Sequence, residues 1–376
     1  MPEIDEDPYS GTTVGLIPTF LVTDDRNEIH QIIAPDAIYN QYFGYGARGR
    51  VYSYPSDNTQ WSIVGGAKER VESEFDGEYA AGLLRQDRLS FDLSLVYDRD
   101  GSPRYYGLGN NAPEWHATNF TYQQKYLQSI LGFNVTHAWQ IGYTFRARQV
   151  EITPGHITAI PSIQALFPDA INRGDRQEIL NRVSITYDSR DSLTAPTRGA
   201  EWVLYAGAAS DEGLLNATLY SEAGIDGRNF WSLGDNAVLA VHFALRYMPG
   251  NDRTRAIPFW ALGSIGGDES IVGGDQPLRG YGTGRWVDRN MSSMSVEYRY
   301  RIATIDAFST QVSVELTPFV DMGRVFDLMG DDPLSQLHKD TGVGLRALAL
   351  PYVVGYLDVG YGTEGTAIFT GLNYPF

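Results

Sequence analysis

Apolar and polar residues alternate along much of this chain, most clearly in its last third. Between residues 294 and 302 one parity is apolar and the other is polar or charged: Met294, Val296, Tyr298, Tyr300 and Ile302 against Ser295, Glu297, Arg299 and Arg301. Between residues 312 and 321 the polar parity carries Glu315 and Asp321. The same period of two recurs near residues 145 and 186. Because successive side chains of an extended strand point to opposite faces, the pattern predicts β-strands with one apolar face.

Two all-β architectures fit strands of this kind. A soluble sandwich buries its apolar faces and leaves the charges in water, whereas an outer-membrane barrel turns the apolar faces to lipid and the charged faces to its lumen. Alternation alone does not choose between them. No run in the chain approaches the ~18 consecutive apolar residues of a spanning helix. Aromatic residues near predicted strand ends are typical of membrane interfaces, and here they include Trp202, Tyr205, Trp231, Tyr298, Tyr300 and Tyr374.

Clusters of Gly, Asn, Asp and Pro separate roughly fifteen strand-like stretches. Bacterial single-chain barrels have an even number of strands, so we expect a 16-stranded antiparallel transmembrane β-barrel with an inward-folded loop. The barrel would form one domain over residues 12–376, preceded by a short N-terminal tail at residues 1–11. Two long irregular stretches, at residues 154–176 and 253–289, would be loops.

The composition narrows the function classes. The chain has no Cys, so disulfides and Cys-ligated metals are excluded, and its formal net charge of −17 argues against a nucleic-acid partner. The six His are scattered without metal-ligand spacing. A G-x-G-x-x-G pattern at residues 44–49 precedes a strand pattern rather than a helix, which argues against a dinucleotide site. We therefore expect no metal, no cofactor and no enzymatic activity.

One arginine, Arg279, lies in a Gly-rich loop between two strongly alternating stretches. A guanidinium held away from water requires charged acceptors, and Glu297 and Asp321 lie on the polar parity of the next two predicted strands. Together with its surroundings, this loop resembles the BamA/TamA-type surface-antigen barrels, over roughly residues 180–376. The matching segments are residues 187–191 and 196–199 (YDSRD and PTRG), 278–281 (LRGY), 295–299 (SVEYR), 319–323 (FVDMG), 342–346 (GVGLR) and 358–362 (DVGYG).

The resemblance implies a role for each matched residue of the loop. Arg279 would lie at the tip of a loop folded into the barrel and pair with Glu297 and Asp321 on the inner wall. Gly280 would let the tip turn tightly, and Tyr281 would pack beside it. We call this set of five residues the loop lock. The alternative is that the lock only stabilises the barrel and fills its lumen.

The first and last strands are expected to meet at a junction that we call the seam. The first strand, at about residues 12–23, contains Pro18, which cannot donate a ladder hydrogen bond and so predicts a weak seam; a tolerated kink is the alternative. In the family, the seam is the proposed lateral gate for client strands. The last residues resemble the C-terminal signal of outer-membrane barrels, with a lipid-facing last strand as the simpler interpretation: Ile368, Thr370, Leu372, Tyr374 and Phe376.

These features predict a barrel of the bacterial outer membrane that inserts or translocates proteins without covalent chemistry. Its expected partners are outer-membrane lipid and unfolded barrel or secreted client proteins. Typical family members carry periplasmic POTRA modules before the barrel, and the predicted tail is too short for one, so a partner protein would supply periplasmic domains. The acidic start of the chain has no apolar core, as expected for the mature form of an exported protein with an added Met1.

Two other functions fit the sequence. The first is a passive channel or structural barrel, with a lumen lined by charged residues that include Arg146, Arg148, Glu297, Arg299, Arg301 and Asp321. The second is the barrel fragment of a longer secreted enzyme, such as a patatin-like fusion.

Overall fold

The computed structural model describes residues 2–7, 9–23, 29–172, 174–211, 218–250, 257–307, 310–328, 330–349, 353–372, 374 and 376, and its regular elements are almost all strands. The strands are β1 (Pro2–Asp7), β2 (Gly11–Leu16), β3 (Phe20–Thr23), β4 (Ile29–Ile33), β5 (Asp36–Asn40), β6 (Gly44–Ser56), β7 (Thr59–Lys68), β8 (Ser73–Ala81), β9 (Leu89–Asp100), β10 (Arg104–Tyr105), β11 (Thr118–Asn134), β12 (Trp139–Pro154), β13 (Arg176–Asp188), β14 (Gly199–Ser210), β15 (Thr218–Ser232), β16 (Ala237–Tyr247), β17 (Gly263–Ile265), β18 (Trp286–Asp288), β19 (Asn290–Ala307), β20 (Thr310–Phe326), β21 (His338–Ala349), β22 (Val353–Gly362) and β23 (Gly365–Leu372).

The few helices are short. Helices α1 (Ile163–Leu166) and α2 (Pro168–Asn172) lie in the connection between β12 and β13, and single 3-10 turns occur at Glu114–His116 and Phe259–Ala261. Within the described ranges, none of these helices has the length and apolar character required to cross a membrane.

Antiparallel pairing joins twenty-one of the described strands into one sheet. Most of the long strands pair with the strand that follows them in the chain, and the ladder between β11 and β12 runs from Phe120↔Pro154 to Asn134↔Gln140. The two ends of the sheet meet where Glu6 of β1 pairs with Ile368 of β23. An antiparallel barrel is therefore the fold, as the alternation together with the family resemblance predicted.

The number of strand positions differs from the expected sixteen. Pairing of the described residues gives eighteen positions when β2 with β3, and β4 with β5, are each taken as one interrupted strand. The expected first strand at residues 12–23 is divided into β2 and β3 around Pro18, which is exposed. β1 lies inside the expected tail and pairs with β2 over six residues, from Pro2↔Leu16 to Asp7↔Gly11. The seam therefore lies between β1 and β23. A six-residue segment rich in acidic side chains carries too little apolar alternation to be recognised as a strand.

The faces of the strands distinguish a barrel from a sandwich. On β19 the apolar parity is exposed, with Tyr298 at 40% and Ile302 at 51%, whereas Glu297 and Arg299 are buried. On β20 Val320 is exposed and Asp321 is buried. Because the charged parity is the one removed from solvent, the charged residues line the interior and the apolar residues form the outer surface, as an outer-membrane barrel requires.

The long loop between β16 and β19 is folded into this interior. Its strands β17 and β18 pair with each other through Gly263↔Asp288 and Ile265↔Trp286. Residues Ile265, Leu278, Tyr281 and Trp286 belong to one buried apolar cluster, together with residues from the strand walls and other loops. The loop therefore has a small core of its own, which fixes the position of the segment around Arg279.

Candidate functional site

Arg279 is completely buried and is held by three carboxylates. Its Nε and Nη2 atoms donate to the two oxygens of Asp321, each at 2.8 Å. Its Nη1 atom donates to Glu297 at 2.5 Å and to Asp358 at 3.1 Å. The backbone N–H of Arg279 also donates to Asp321 at 3.1 Å, and the Phe319 ring lies 3.6 Å from the guanidinium carbon. The planar guanidinium thus meets Asp321 in a bidentate pair, the strong and directional form of this contact.

The sequence prediction named Glu297 and Asp321 as partners but did not include Asp358. Asp358 is fully buried on β22, on the same face as Gly360 and Gly362. Asp358 lies in one of the segments that resemble the family, at a position of β22 that faces the interior. That position was the signal that could have identified it. Because β22 is far along the chain from the loop, only the closed arrangement of strands brings it to the lock.

Two further arginines complete the charge balance around the lock. Arg299 donates through Nε to Glu297 at 2.8 Å. Arg346 donates to the two oxygens of Asp358 at 2.5 and 3.0 Å. Both guanidiniums are almost fully buried. Glu297 and Asp358 therefore each retain a second cation, whereas Asp321 has Arg279 as its cation among the described ion pairs.

The electrostatics keep Arg279 charged. Burial alone would lower the pKa of its guanidinium, but Asp321, Glu297 and Asp358 raise that pKa well above its ordinary value. The Arg279 guanidinium therefore stays charged, and the strength of the lock depends on the positions of the carboxylates around it.

Gly280 matters for close approach rather than for a tight turn. Its φ angle is not in the left-handed region. A Cβ at this position would lie 2.5 Å from the Cβ of Asp340 and 2.7 Å from the backbone nitrogen of Gly362. The facing wall is also built from glycine, since a Cβ on Gly360 would lie 2.0 Å from the carbonyl oxygen of Arg279. The loop tip therefore lies backbone against backbone on β22, with the Gly280 N–H donating to Asp340 at 2.7 Å.

Tyr281 packs into the loop core beside the tip. Its ring makes an edge-to-face contact with Trp286 at a centroid distance of 4.8 Å. Its hydroxyl donates to the Lys339 carbonyl at 3.2 Å and accepts from the Thr363 N–H at 3.1 Å. All five predicted lock residues are thus brought together, and their role in function stays a prediction.

A second group of charges holds the other side of the loop. Glu222 lies between Arg182, at 2.6 Å, and Arg246, at 2.8 Å. Arg182 also donates to the Val272 carbonyl at 2.9 Å, and Arg246 donates to the Ala261 carbonyl at 3.0 Å. These residues were not singled out from the sequence. Glu222 and Arg246 follow the inner parity of their strands. The carbonyls that accept from Arg182 and Arg246 come from an irregular loop that no pattern predicts.

Two of the four arginines expected to line a pore pair with the same glutamate. Arg146 and Arg148 lie 2.8 and 3.2 Å from the two oxygens of Glu178, which is fully buried and also accepts from the Tyr220 hydroxyl at 2.6 Å. Within the described part of the chain, no group of three potential ligands is arranged to hold a metal ion. These ion pairs neutralise part of the charge that lines the interior around the folded loop.

The residues assigned to the seam and the C-terminal signal are not brought together with one another. Pro18 lies in the interruption between β2 and β3 and belongs to neither strand. Tyr374 and Phe376 lie beyond β23 and are directed inward: the Tyr374 hydroxyl donates to Glu315 at 2.8 Å, and the Phe376 ring stacks on buried His242 at 5.2 Å. The lipid-facing interpretation is therefore wrong for Phe376, because a cationic and aromatic pocket around Arg299 accepts its ring inside the barrel.

Comparison with known proteins gives a family match and several structural matches. A model described as the Omp85 superfamily domain matches residues 58–363. The chain is similar to BamA from Haemophilus ducreyi lacking POTRA domains 1-3, at 14% identity and a TM-score of 0.55, covering 95% of this chain and 75% of that chain. It is similar to CdiB from Escherichia coli (11% identity, TM-score 0.59, covering 100% and 67%) and to CdiB from Acinetobacter baumannii (12%, 0.52, 96% and 65%). No curated protein matches.

Proposed function

The chain belongs to the Omp85 superfamily, and on that premise we propose that this barrel of the bacterial outer membrane inserts or translocates other proteins without covalent chemistry. Its clients would be unfolded barrel or secreted proteins that contact the seam as extended strands. A strand edge recognises such a client through main-chain hydrogen bonds, which require no particular side-chain sequence.

The observation that carries the proposal is the unequal strength of the strand junctions. Among the described residues, β1 and β23 share one register pair, Glu6↔Ile368, whereas β22 and β23 share a continuous ladder from Gly355↔Leu372 to Gly362↔Gly365. A junction with one pair opens at far lower cost than one with a full ladder, because fewer hydrogen bonds are lost. The seam is therefore the place where the edge of β23 becomes available.

The proposal includes a partner protein with periplasmic domains. Support comes from the relatives, since one similar structure is of a BamA from which POTRA domains 1-3 are lacking. A pull-down of the tagged protein from native outer membranes, followed by mass spectrometry, tests this part. A stoichiometric partner with periplasmic domains is the expected result, and recovery of the bare barrel from intact membranes would count against it.

A seam cross-link tests the insertion activity. The parent chain has no Cys, so the variant Glu6→Cys/Ile368→Cys introduces a single possible disulfide across the seam. The matched control is Val359→Cys/Ile368→Cys, which links β22 to β23 through a register pair in an existing ladder. Proteoliposomes would receive a small outer-membrane barrel unfolded in urea, and its folding would be followed by heat-modifiable gel mobility.

We expect the parent and the control to accelerate folding of the probe barrel. The seam-linked variant should lose the acceleration when oxidised and regain it after reduction. Equal acceleration by the oxidised seam-linked variant and the parent would contradict insertion at the seam.

A passive channel is the second candidate, and one observation favours it. The arginine loop occupies the interior and is held on two sides, by the ion pairs of Arg279 and by the hydrogen bond from Arg182 to the Val272 carbonyl. If the loop is a plug, Arg279→Ala should raise single-channel conductance in a planar bilayer sharply, with no effect of the seam cross-link. Unchanged conductance would remove the support for a plugged pore.

A further inference from the structure

Tyr9 lies in the turn between β1 and β2, at the end of the hairpin formed by residues 2–7 and 9–23. Its side chain is buried in the apolar cluster that contains Leu278 and Tyr281 of the arginine loop. Its ring centroid lies 6.1 Å from that of Tyr106. A residue of the seam hairpin is therefore part of the core of the loop that carries the lock.

The contact between Tyr9 and the loop is close. Gly282 follows directly after the lock residues, and a Cβ at this position would lie 2.3 Å from the Cζ atom of Tyr9. The ring thus rests on the loop backbone at a place where only glycine leaves room. Any displacement of this loop segment toward the hairpin must move Tyr9.

A third element fixes the same turn. Arg104 donates from Nη2 to the Tyr9 carbonyl at 2.8 Å, and its guanidinium lies 5.7 Å from the centre of the Tyr9 ring. Arg104 belongs to β10, which pairs with the long strand β11. The turn of the hairpin is therefore tied both to the arginine loop and to the barrel wall.

The strand junctions on the two sides of the hairpin are unequal. On one side, β2 pairs with β5 from Thr13↔Asn40 to Leu16↔Ala37, and β3 pairs with β4. On the other side, β1 and β23 share one register pair among the described residues. Because that ladder is so short, the contacts of Tyr9 with the arginine loop add to what holds the hairpin beside β23.

We propose that Tyr9 is a pin that couples the arginine loop to the seam. While its ring occupies the loop core, the hairpin is held beside β23. When the loop leaves its position, the pin is released, the hairpin stays with β4 and β5, and the edge of β23 is exposed. This coupling is a property of the barrel itself and does not depend on the proposed insertion activity.

Disulfide trapping across the seam tests the pin without any client. The yield of the Glu6→Cys/Ile368→Cys cross-link would be measured in isolated outer membranes after a fixed exposure to a mild oxidant. Paired residues of neighbouring antiparallel strands have Cα atoms about 4.5–5.5 Å apart, which a disulfide can span. The background variants are Tyr9→Ala and, on the loop side, Gly282→Ala, which displaces the ring without changing the hairpin.

Tyr9→Ala and Gly282→Ala should each lower the cross-link yield several-fold. Tyr9→Phe keeps the ring and should retain the parent yield, as should Gly330→Ala, because a Cβ on Gly330 meets nothing within 4 Å. Heat-modifiable mobility confirms that each barrel is folded. If Tyr9→Ala does not fold, Gly282→Ala decides alone.

Three results would overturn the pin. The first is a cross-link yield in both Tyr9→Ala and Gly282→Ala that equals the yield without these changes. The second is failure of the parent pair to cross-link, which would remove the seam geometry. The third is an equal fall in the Val359→Cys/Ile368→Cys yield, which would show general loosening of the last strands. Failure of the proposed insertion activity would leave all these yields unchanged, so the two hypotheses fail separately.

Discussion

Replacing Arg279 by Ala removes the cation at the centre of the loop lock. The change leaves three carboxylates in the interior, and they differ in whether another cation remains beside them. Glu297 keeps Arg299, and Asp358 keeps Arg346. Asp321 loses a bidentate pair and is left without a cation among the described ion pairs. The free-energy cost of the substitution therefore comes mainly from Asp321, which stays buried without a cation.

The magnitude follows from the burial of the pair. Removing one member of a buried ion pair costs about 3–5 kcal/mol, because the other charge stays desolvated without compensation. If the loop can leave the interior while the strands remain paired, this cost appears in the equilibrium between the folded and the displaced loop. Each ~1.4 kcal/mol is tenfold, so we expect the displaced population to rise by roughly two to three and a half powers of ten.

Limited proteolysis measures that population. When opening and reclosing are fast relative to cleavage, the cleavage rate is proportional to the open fraction. Proteinase K would be added to proteoliposomes, and cleavage within residues 257–289 would be followed on gels and located by mass spectrometry. Heat-modifiable mobility should show an intact barrel, because the strand ladders do not involve Arg279.

Two variants make the interpretation specific. Arg198→Ala removes an exposed arginine from a hairpin turn and should leave the cleavage rate unchanged. Arg279→Ala combined with Asp321→Asn removes the uncompensated charge and should recover part of the protection. If Arg279→Ala is cleaved no faster than the parent and Arg198→Ala, the lock does not hold the loop and the reasoning is refuted.

Two other predictions follow from the same interior. Gly360→Ala places a Cβ 2.0 Å from a loop carbonyl and should raise loop cleavage in the same proteolysis assay, whereas Gly355→Ala on the same strand meets nothing within 4 Å and should not; equal rates would exclude the glycine contact. Glu178→Gln removes the buried carboxylate that pairs with two partly buried arginines, and it should destabilise the barrel by about 3–5 kcal/mol, measured by urea denaturation in detergent. Glu151→Gln at an exposed site should change stability by less than about 0.5 kcal/mol. Similar midpoints for the two variants would contradict the assigned pairing.

The sequence determined the features that depend on local order. Period-two alternation defines strands and separates a charged face from an apolar face, because the geometry of an extended chain fixes the direction of successive side chains. For this reason Glu297 and Asp321 could be assigned to the polar faces of their strands before their contacts were known. That this face is the inner wall and that the two carboxylates bind Arg279 came from the family resemblance.

Only the tertiary structure decided which strands are neighbours and what lies between them. Asp358 reaches the lock because β22 passes behind the loop, and Gly280 is small because backbone lies against backbone there, not because its φ angle requires glycine. The short hairpin at the seam, the pin at Tyr9 and the inward position of Phe376 likewise come from contacts between segments far apart in the chain. Such contacts depend on the register and the closure of the sheet. A periodic pattern does not determine either, because a strand has the same period whichever strand it pairs with.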